Sequence, residues 1–111
     1  MATRASIEFD FQRARQQADT LEQIASRLDR LVGQEFAGTM QDISHHWKGQ
    51  NADAYLGKAS RLQSNMSASA RSLATIANNI RTAAKRMYDA EMEALRIAEE
   101  RLYQGQGNNI A

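Results

Sequence analysis

The chain has 111 residues, no cysteine, no proline and a formal net charge of +1. A length of this order supports one domain with a modest core. The missing cysteines exclude disulfides, thiol chemistry and thiolate metal sites. Near-neutral charge of mixed sign gives no electrostatic reason to expect nucleic acid as a partner.

No apolar run approaches the roughly 18 residues that cross a bilayer. The opening stretch, Met1 to Asp10, lacks the apolar centre of a cleavable signal peptide. Any export is therefore expected to bypass the general secretory route.

With no proline to interrupt it and many good helix formers, the chain is expected to be helical. After a tail at residues 1–5, the first helix is predicted over about residues 6–43. Ser6 is expected to cap it, with Glu8 near its positive end. Ile7, Phe11, Ala14, Ala18, Leu21, Ala25, Leu28 and Val32 alternate steps of three and four, which defines a heptad seam. Ile24 and Leu31 widen that seam, while Arg13, Gln16, Gln23, Arg27 and Arg30 form the solvated face. Gly33 and Gly38 each weaken the helix by up to about 1 kcal/mol relative to alanine. Phe36, Met40 and Ile43 resume the pattern one position out of step. The expected cause is close packing at the glycines, or a slight bend there.

Residues 44–50 interrupt the periodicity. Gly49 can take the positive φ of a tight reversal, and Trp47 carries enough apolar area to fill the space between diverging helices. This stretch is predicted to be the bend of an antiparallel hairpin. The second helix is expected over about residues 51–103. Its seam is read as Ala52, Tyr55, Ala59, Leu62, Met66, Ser69, Leu73, Ile76, Ile80, Ala83 and Met87. Beyond Met87 the apolar row drifts to Tyr88, Leu95 and Leu102, as a stutter would make it do. Residues 104–111 are expected to form a flexible tail.

The two arms are unequal. A first arm of about 38 residues reaches roughly 57 Å, enough to cover the second only to about Tyr88 or Ala90. Leu95, Ile97, Leu102 and Tyr103 are then left without cover from their own chain. Two wide apolar stripes also cannot bury each other fully. The expected fold class is therefore all-α: a two-helix antiparallel hairpin that pairs into a four-helix bundle with a second molecule. The partner interface is assigned to Phe11, Leu21, Leu28, Leu62, Met66, Leu73, Ile76, Ile80, Met87, Leu95 and Leu102.

No constellation in the chain points to catalysis. The adjacent imidazoles of His45 and His46 do not converge on one ion from a helix, and suit its negative end better. Ser44, His45 and Asp42 are neighbours in sequence without triad geometry. Arg81, Lys85 and Arg86 read as a solvated face with Asp89 as an i,i+4 partner of Lys85; the alternative is contact with an acidic partner or nucleic acid. The glycines stand singly, so no phosphate loop is present. Met40, Met66, Met87 and Met92 suit an ordinary core and a repackable partner surface equally. Neither a cofactor nor a metal is expected.

Trp47-Lys48-Gly49, central in a proline-free chain and flanked by two long amphipathic helices, resembles the small WXG (ESAT-6-like) family. Gln50-Asn51-Ala52-Asp53-Ala54-Tyr55 looks like that family's usual start of the second helix. The resemblance spans about residues 6–103. It implies a non-enzymatic substrate of the type VII (ESX-type) secretion system of Gram-positive bacteria, exported folded without a cleaved signal peptide. It also implies pairing as a homodimer, with another small protein, or with the helical domain of a larger toxin. Trp47 and Gly49 would shape the bend and contribute to the surface that the secretion ATPase reads.

One departure matters. The family's export signal places an acid four residues after a tyrosine, whereas Tyr88 is followed by Met92 and Tyr103 by Gly107. Two readings stay open: a degenerate signal at Tyr88, Asp89 and Glu91, or a signal on a partner chain. The second is preferred, which makes the protein one half of a heteromeric export complex. A non-secreted coiled-coil adaptor and a homodimer exported on its own are the rival readings. No stable membrane insertion is expected.

Overall fold

The computed structural model describes residues 2–110, and side chains through Gly105. Its elements are α1 (Arg4–Arg30), a π-turn (Leu31–Phe36), α2 (Ala37–His46) and α3 (Gln50–Ile110). They form an all-α hairpin of two long helical arms joined by a turn. Arg30 and Ala37, on either side of the π-turn, both keep right-handed helical dihedrals, so the first arm is continuous.

The start of α1 differs from expectation. Thr3, not Ser6, sits at the N-cap: the Ser6 amide donates to Thr3 Oγ1 at 3.1 Å, and the Thr3 amide donates to Ser6 Oγ at 3.0 Å. This is a reciprocal capping box with serine in the usual Glu/Gln position. The helix thereby gains two residues over the sequence estimate, and Glu8 falls beyond its first turn.

The far end of α3 also differs, because the helix continues to Ile110 rather than ending near Tyr103. Single glycines lower helix propensity by about 1 kcal/mol each without forbidding the helix, and no proline stands there to stop it.

The chain clusters into two compact units, Asp19–Ala77 and Met1–Ala18 with Asn78–Ala111. In the first, Ala25 and Val32 of the first arm and Ala52, Ala70 and Ala77 of α3 are buried. Leu21, Leu28, Phe36, Met40 and Ile43 flank them half-buried on one side, and Leu56, Gln63, Met66 and Leu73 on the other. The second unit buries Ile7, Ala18 and Ala84, with Phe11, Ala14, Tyr88, Met92, Leu95 and Ala98 half-buried around them. All eight expected seam positions of the first arm, Ile7 to Val32, are buried or half-buried.

The seam of α3 keeps one expected row, Ala52, Ala59, Met66, Leu73 and Ile80, buried or half-buried, and shifts the other by one position. Its central row is Leu56, Gln63, Ala70, Ala77 and Ala84, seven residues apart. Tyr55, Leu62, Ser69, Ile76, Ala83 and Met87, all expected on the seam, are instead exposed. The reason is steric: helices approach most closely where side chains are smallest, so the alanines take the contact line and the bulky residues flank it.

The π-turn explains the step in the pattern of the first arm. A single-turn π-segment inserts one residue into a helix, so the face it presents advances by one position. Val32 lies on the seam by the α-helical count. Phe36, Met40 and Ile43 are half-buried because the count has been advanced. Close packing is not the role of the glycines, since a Cβ at Gly33 or Gly38 would meet nothing within 4 Å.

Deleting Gly33 should therefore turn the π-turn into ordinary helix while keeping Phe36, Met40 and Ile43 on the seam. The expected thermal midpoint stays within a few degrees of the parent. Deleting Ser72 from α3, which has no such turn to absorb the change, should destabilise by several kcal/mol through misplaced core residues. Circular-dichroism melts of the two deletions make the comparison.

Candidate functional site at the bend and the exposed apolar face

The bend is tighter than residues 44–50, because α2 runs through His46 and α3 begins at Gln50. Trp47 leaves the helix with an extended backbone (φ −107°, ψ 129°), and its amide still donates to the Ile43 carbonyl at 2.8 Å. The last carbonyls of a helix lack amide partners from within it. Here side chains supply them: His46 Nδ1 donates to the Asp42 carbonyl at 2.8 Å, and Lys48 Nζ to the Ser44 carbonyl at 3.3 Å. His46 thus serves as a helix-end donor, and among the described residues no three of His, Asp and Glu gather as a metal site.

Gly49 has φ +110°, the one positive φ among the described residues. Its carbonyl accepts from the Asp53 amide at 3.1 Å and so opens α3, whose first turn holds the Asp53 carboxylate against the positive helix end. The Trp47 indole does not fill the space inside the turn. It is 55% exposed and meets the Tyr55 ring edge-on, with centroids 6.3 Å apart. Trp47 and Tyr55 therefore make one open aromatic surface beside the bend.

Farther from the bend, Gln63 Nε2 reaches across to donate to the Val32 carbonyl at 3.3 Å. This long, part-buried bond ties α3 to the π-turn, where backbone bonding departs from the i,i+4 pattern. Nothing in the sequence singled out Gln63. A glutamine on a row of alanines and a leucine was the available signal.

The same unit carries exposed Ile24 and Leu31 on the first arm and Leu62 and Ile76 on α3, each between 41% and 51% exposed. Ile24 and Leu31 lie next to the seam row of Leu21 and Leu28. Leu62 and Ile76 lie next to that of Met66 and Leu73, turned in the same sense. In an antiparallel pair, equal rotation from the contact line brings both sets to one face. The Val32–Gln63 bond sets the level, placing Leu31 across from the turn that holds Leu62 and Met66.

The other expected interface residues fall into two groups. Phe11, Leu21, Leu28, Met66, Leu73, Ile80 and Leu95 are half-buried within their own hairpin, whereas Met87 and Leu102 are exposed. Of the expected overhang, Leu95 is half-buried, Ile97 is 37% exposed, and Leu102 and Tyr103 are largely open.

Tyr88 is half-buried, its ring 4.7 Å from that of Phe11, and Asp89 pairs with Lys85 at 3.0 Å. Lys85 thus has the i,i+4 partner that the solvated-face reading gave it, and Arg81 donates to Asn78 Oδ1 at 3.0 Å. Glu91 is half-buried beside Ile7, Phe11 and Met87. Farther along α3, exposed Arg96 bridges Glu93 at 2.7 Å and Glu100 at 2.9 Å. Its hydrogen bonds and charge hold the Glu93 carboxyl below the usual carboxylate range. No described helix is long and apolar enough to cross a membrane.

The two kinds of glycine should respond oppositely to alanine. At Gly49 the added Cβ meets no neighbour, but the positive φ should cost about 1–2 kcal/mol. At Gly38, helical with open space around it, alanine should stabilise by up to about 1 kcal/mol. Urea denaturation of both variants tests the pair.

The family described as proteins of 100 residues with WXG (WXG100) matches the chain over residues 6–92. No significant match was found among curated proteins or among solved structures. The matched span takes in α1, the π-turn, α2, the Trp47–Gly49 bend and most of α3, the parts that build the geometry above. The chain belongs to the WXG100 family, a non-enzymatic family of small ESAT-6-like helical proteins exported by type VII secretion.

Proposed function

We propose that this protein acts in the type VII (ESX) system of a Gram-positive bacterium as a secreted substrate and as targeting partner or chaperone of a larger effector. It does so by completing a helical bundle with that effector's helical domain or with another small helical protein. The observation that carries this reading is the exposed face of Ile24, Leu31, Leu62 and Ile76. Full burial of such a side chain is worth roughly 1.5–3 kcal/mol, and with about half of each still exposed on one face, covering all four offers a partner several kcal/mol.

The protein waits in the cytoplasm, pairs there, and leaves folded without a cleaved signal peptide. Trp47 and Gly49 form the bend that the secretion ATPase reads together with a signal on the partner chain. Tyr88 is poorly suited to carry that signal alone, because its ring is engaged with Phe11.

The purified protein should be either a stable oligomer or a weakly folded species that becomes rigid when a neighbouring gene product is added. A rigid monomer at high concentration, by native mass measurement, would remove the basis of the proposal. The intact protein should also appear in culture supernatant only when the secretion ATPase is active. Its retention in the cell would favour an adaptor without an export role.

Trp47→Ala should abolish or sharply reduce export while lowering unfolding free energy by no more than about 1–2 kcal/mol, because over half the residue is already exposed. Parallel secretion assays and denaturant melts distinguish the two effects.

A further inference from the structure

Trp47 is the chain's only tryptophan, and it follows directly on the last residue of α2. Three successive carbonyls at that end of the helix, those of Asp42, Ile43 and Ser44, each take a bond from one of three successive residues. They accept, in order, from the His46 ring at 2.8 Å, the Trp47 amide at 2.8 Å and the Lys48 ammonium at 3.3 Å. Both sequence neighbours of the tryptophan thus fold their side chains back onto α2, and residue 47 is itself bonded between them.

Beyond Lys48 the path is fixed again. Gly49 reverses it at φ +110°, and the Gly49 carbonyl takes the Asp53 amide of the first turn of α3 at 3.1 Å. The freedom left to the tryptophan is in its side chain. Tyr55 limits that freedom, standing edge-on to the indole with ring centroids 6.3 Å apart.

His46 and Lys48 are exposed and lie outside the core, so their bonds add only modestly to global stability. Their local effect is larger. Helix ends open with little free energy, and each bond lost here lets the last turn of α2 carry residue 47 with it.

We infer that His46 and Lys48, together with Tyr55, are positioning residues that hold the Trp47 indole in one orientation for the protein that reads the bend. They act through the tryptophan, by fixing the backbone on either side of it and walling its ring. This rests on the export-recognition reading above and names the residues that set its geometry. Ordering a side chain before it binds removes that cost from the binding step.

His46→Leu/Lys48→Met removes both donors and keeps side chains of comparable size. With a single tryptophan in the chain, fluorescence anisotropy decay reports this indole alone. The donorless variant should add a fast local motion to the decay and lower export about three- to tenfold. Its thermal midpoint should fall by only about a few degrees. His46→Asn/Lys48→Arg, which returns a donor to each position, should restore the slow decay and most of the export. Tyr55→Leu should loosen the indole with both caps intact.

Trp47→Ala is the reference. If it blocks export while the donorless variant leaves the cell at the parent rate, the positioning role is overturned and the reading of the bend stands. If Trp47→Ala is itself exported normally, both fall. An indole as ordered in the donorless variant as in the parent overturns the inference whatever export does. So does a loss of export that asparagine and arginine fail to restore, since the partner would then be reading His46 and Lys48 directly.

Discussion

Two helices offer each other one contact line apiece, and every other feature of this protein follows from what occupies that line. Ala25 on one arm and Ala70 and Ala77 on the other are small enough for the backbones to come close. Close approach buries the alanines almost completely but withdraws the bulky residues beside them from mutual cover. A hairpin with leucines on the line would stand wider apart and hide more of its own apolar surface. This one pushes that surface to the flanks. Its internal stability is correspondingly modest, because a buried alanine methyl contributes far less than a buried leucine or isoleucine side chain.

The π-turn belongs to the same constraint. With a narrow contact line, a one-residue error in the pattern of the first arm would carry Phe36, Met40 and Ile43 round to solvent. Widening the helix at Leu31–Phe36 corrects the phase within a single turn. Gln63 then ties the widened turn to the opposite arm, placing a hydrogen bond on a row otherwise occupied by small or apolar groups. A polar group at one seam position favours a single axial alignment of the arms, as buried polar residues do in other helical pairs.

The sequence was most legible where one helix repeats. The eight seam positions from Ile7 to Val32 stand out because apolar residues recur there in alternating steps of four and three without a break. The second arm misled for the opposite reason: apolar residues populate two adjacent rows, and size alone favours Leu62 and Ile76 over Ala70 and Ala77. Pattern reading weighs hydrophobicity, whereas packing across a short distance selects volume. The step at Phe36 was visible, but its cause was not, because a bend and an extra residue leave the same mark in a linear pattern. At the bend, Trp47 and Gly49 were legible as a pair, yet the exposure of the indole depends on where the chain leaves α2, which no spacing rule specifies.

That exposure bears on what the tryptophan is for. The bend closes through the residue 47 amide on Ile43, the Lys48 ammonium and His46 ring on α2 carbonyls, and the Asp53 amide on Gly49. Residue 47 contributes only a backbone N–H to this set, which any residue but proline supplies. Gly49 is different, since its positive φ is a direct requirement of the chain path. The indole is therefore surplus to the turn. Its one ring contact, with Tyr55, enlarges an aromatic surface instead of sealing a gap. More than half of this large side chain stands open to solvent beside the bend. The proposed export recognition would give that placement a reason that closing the turn does not.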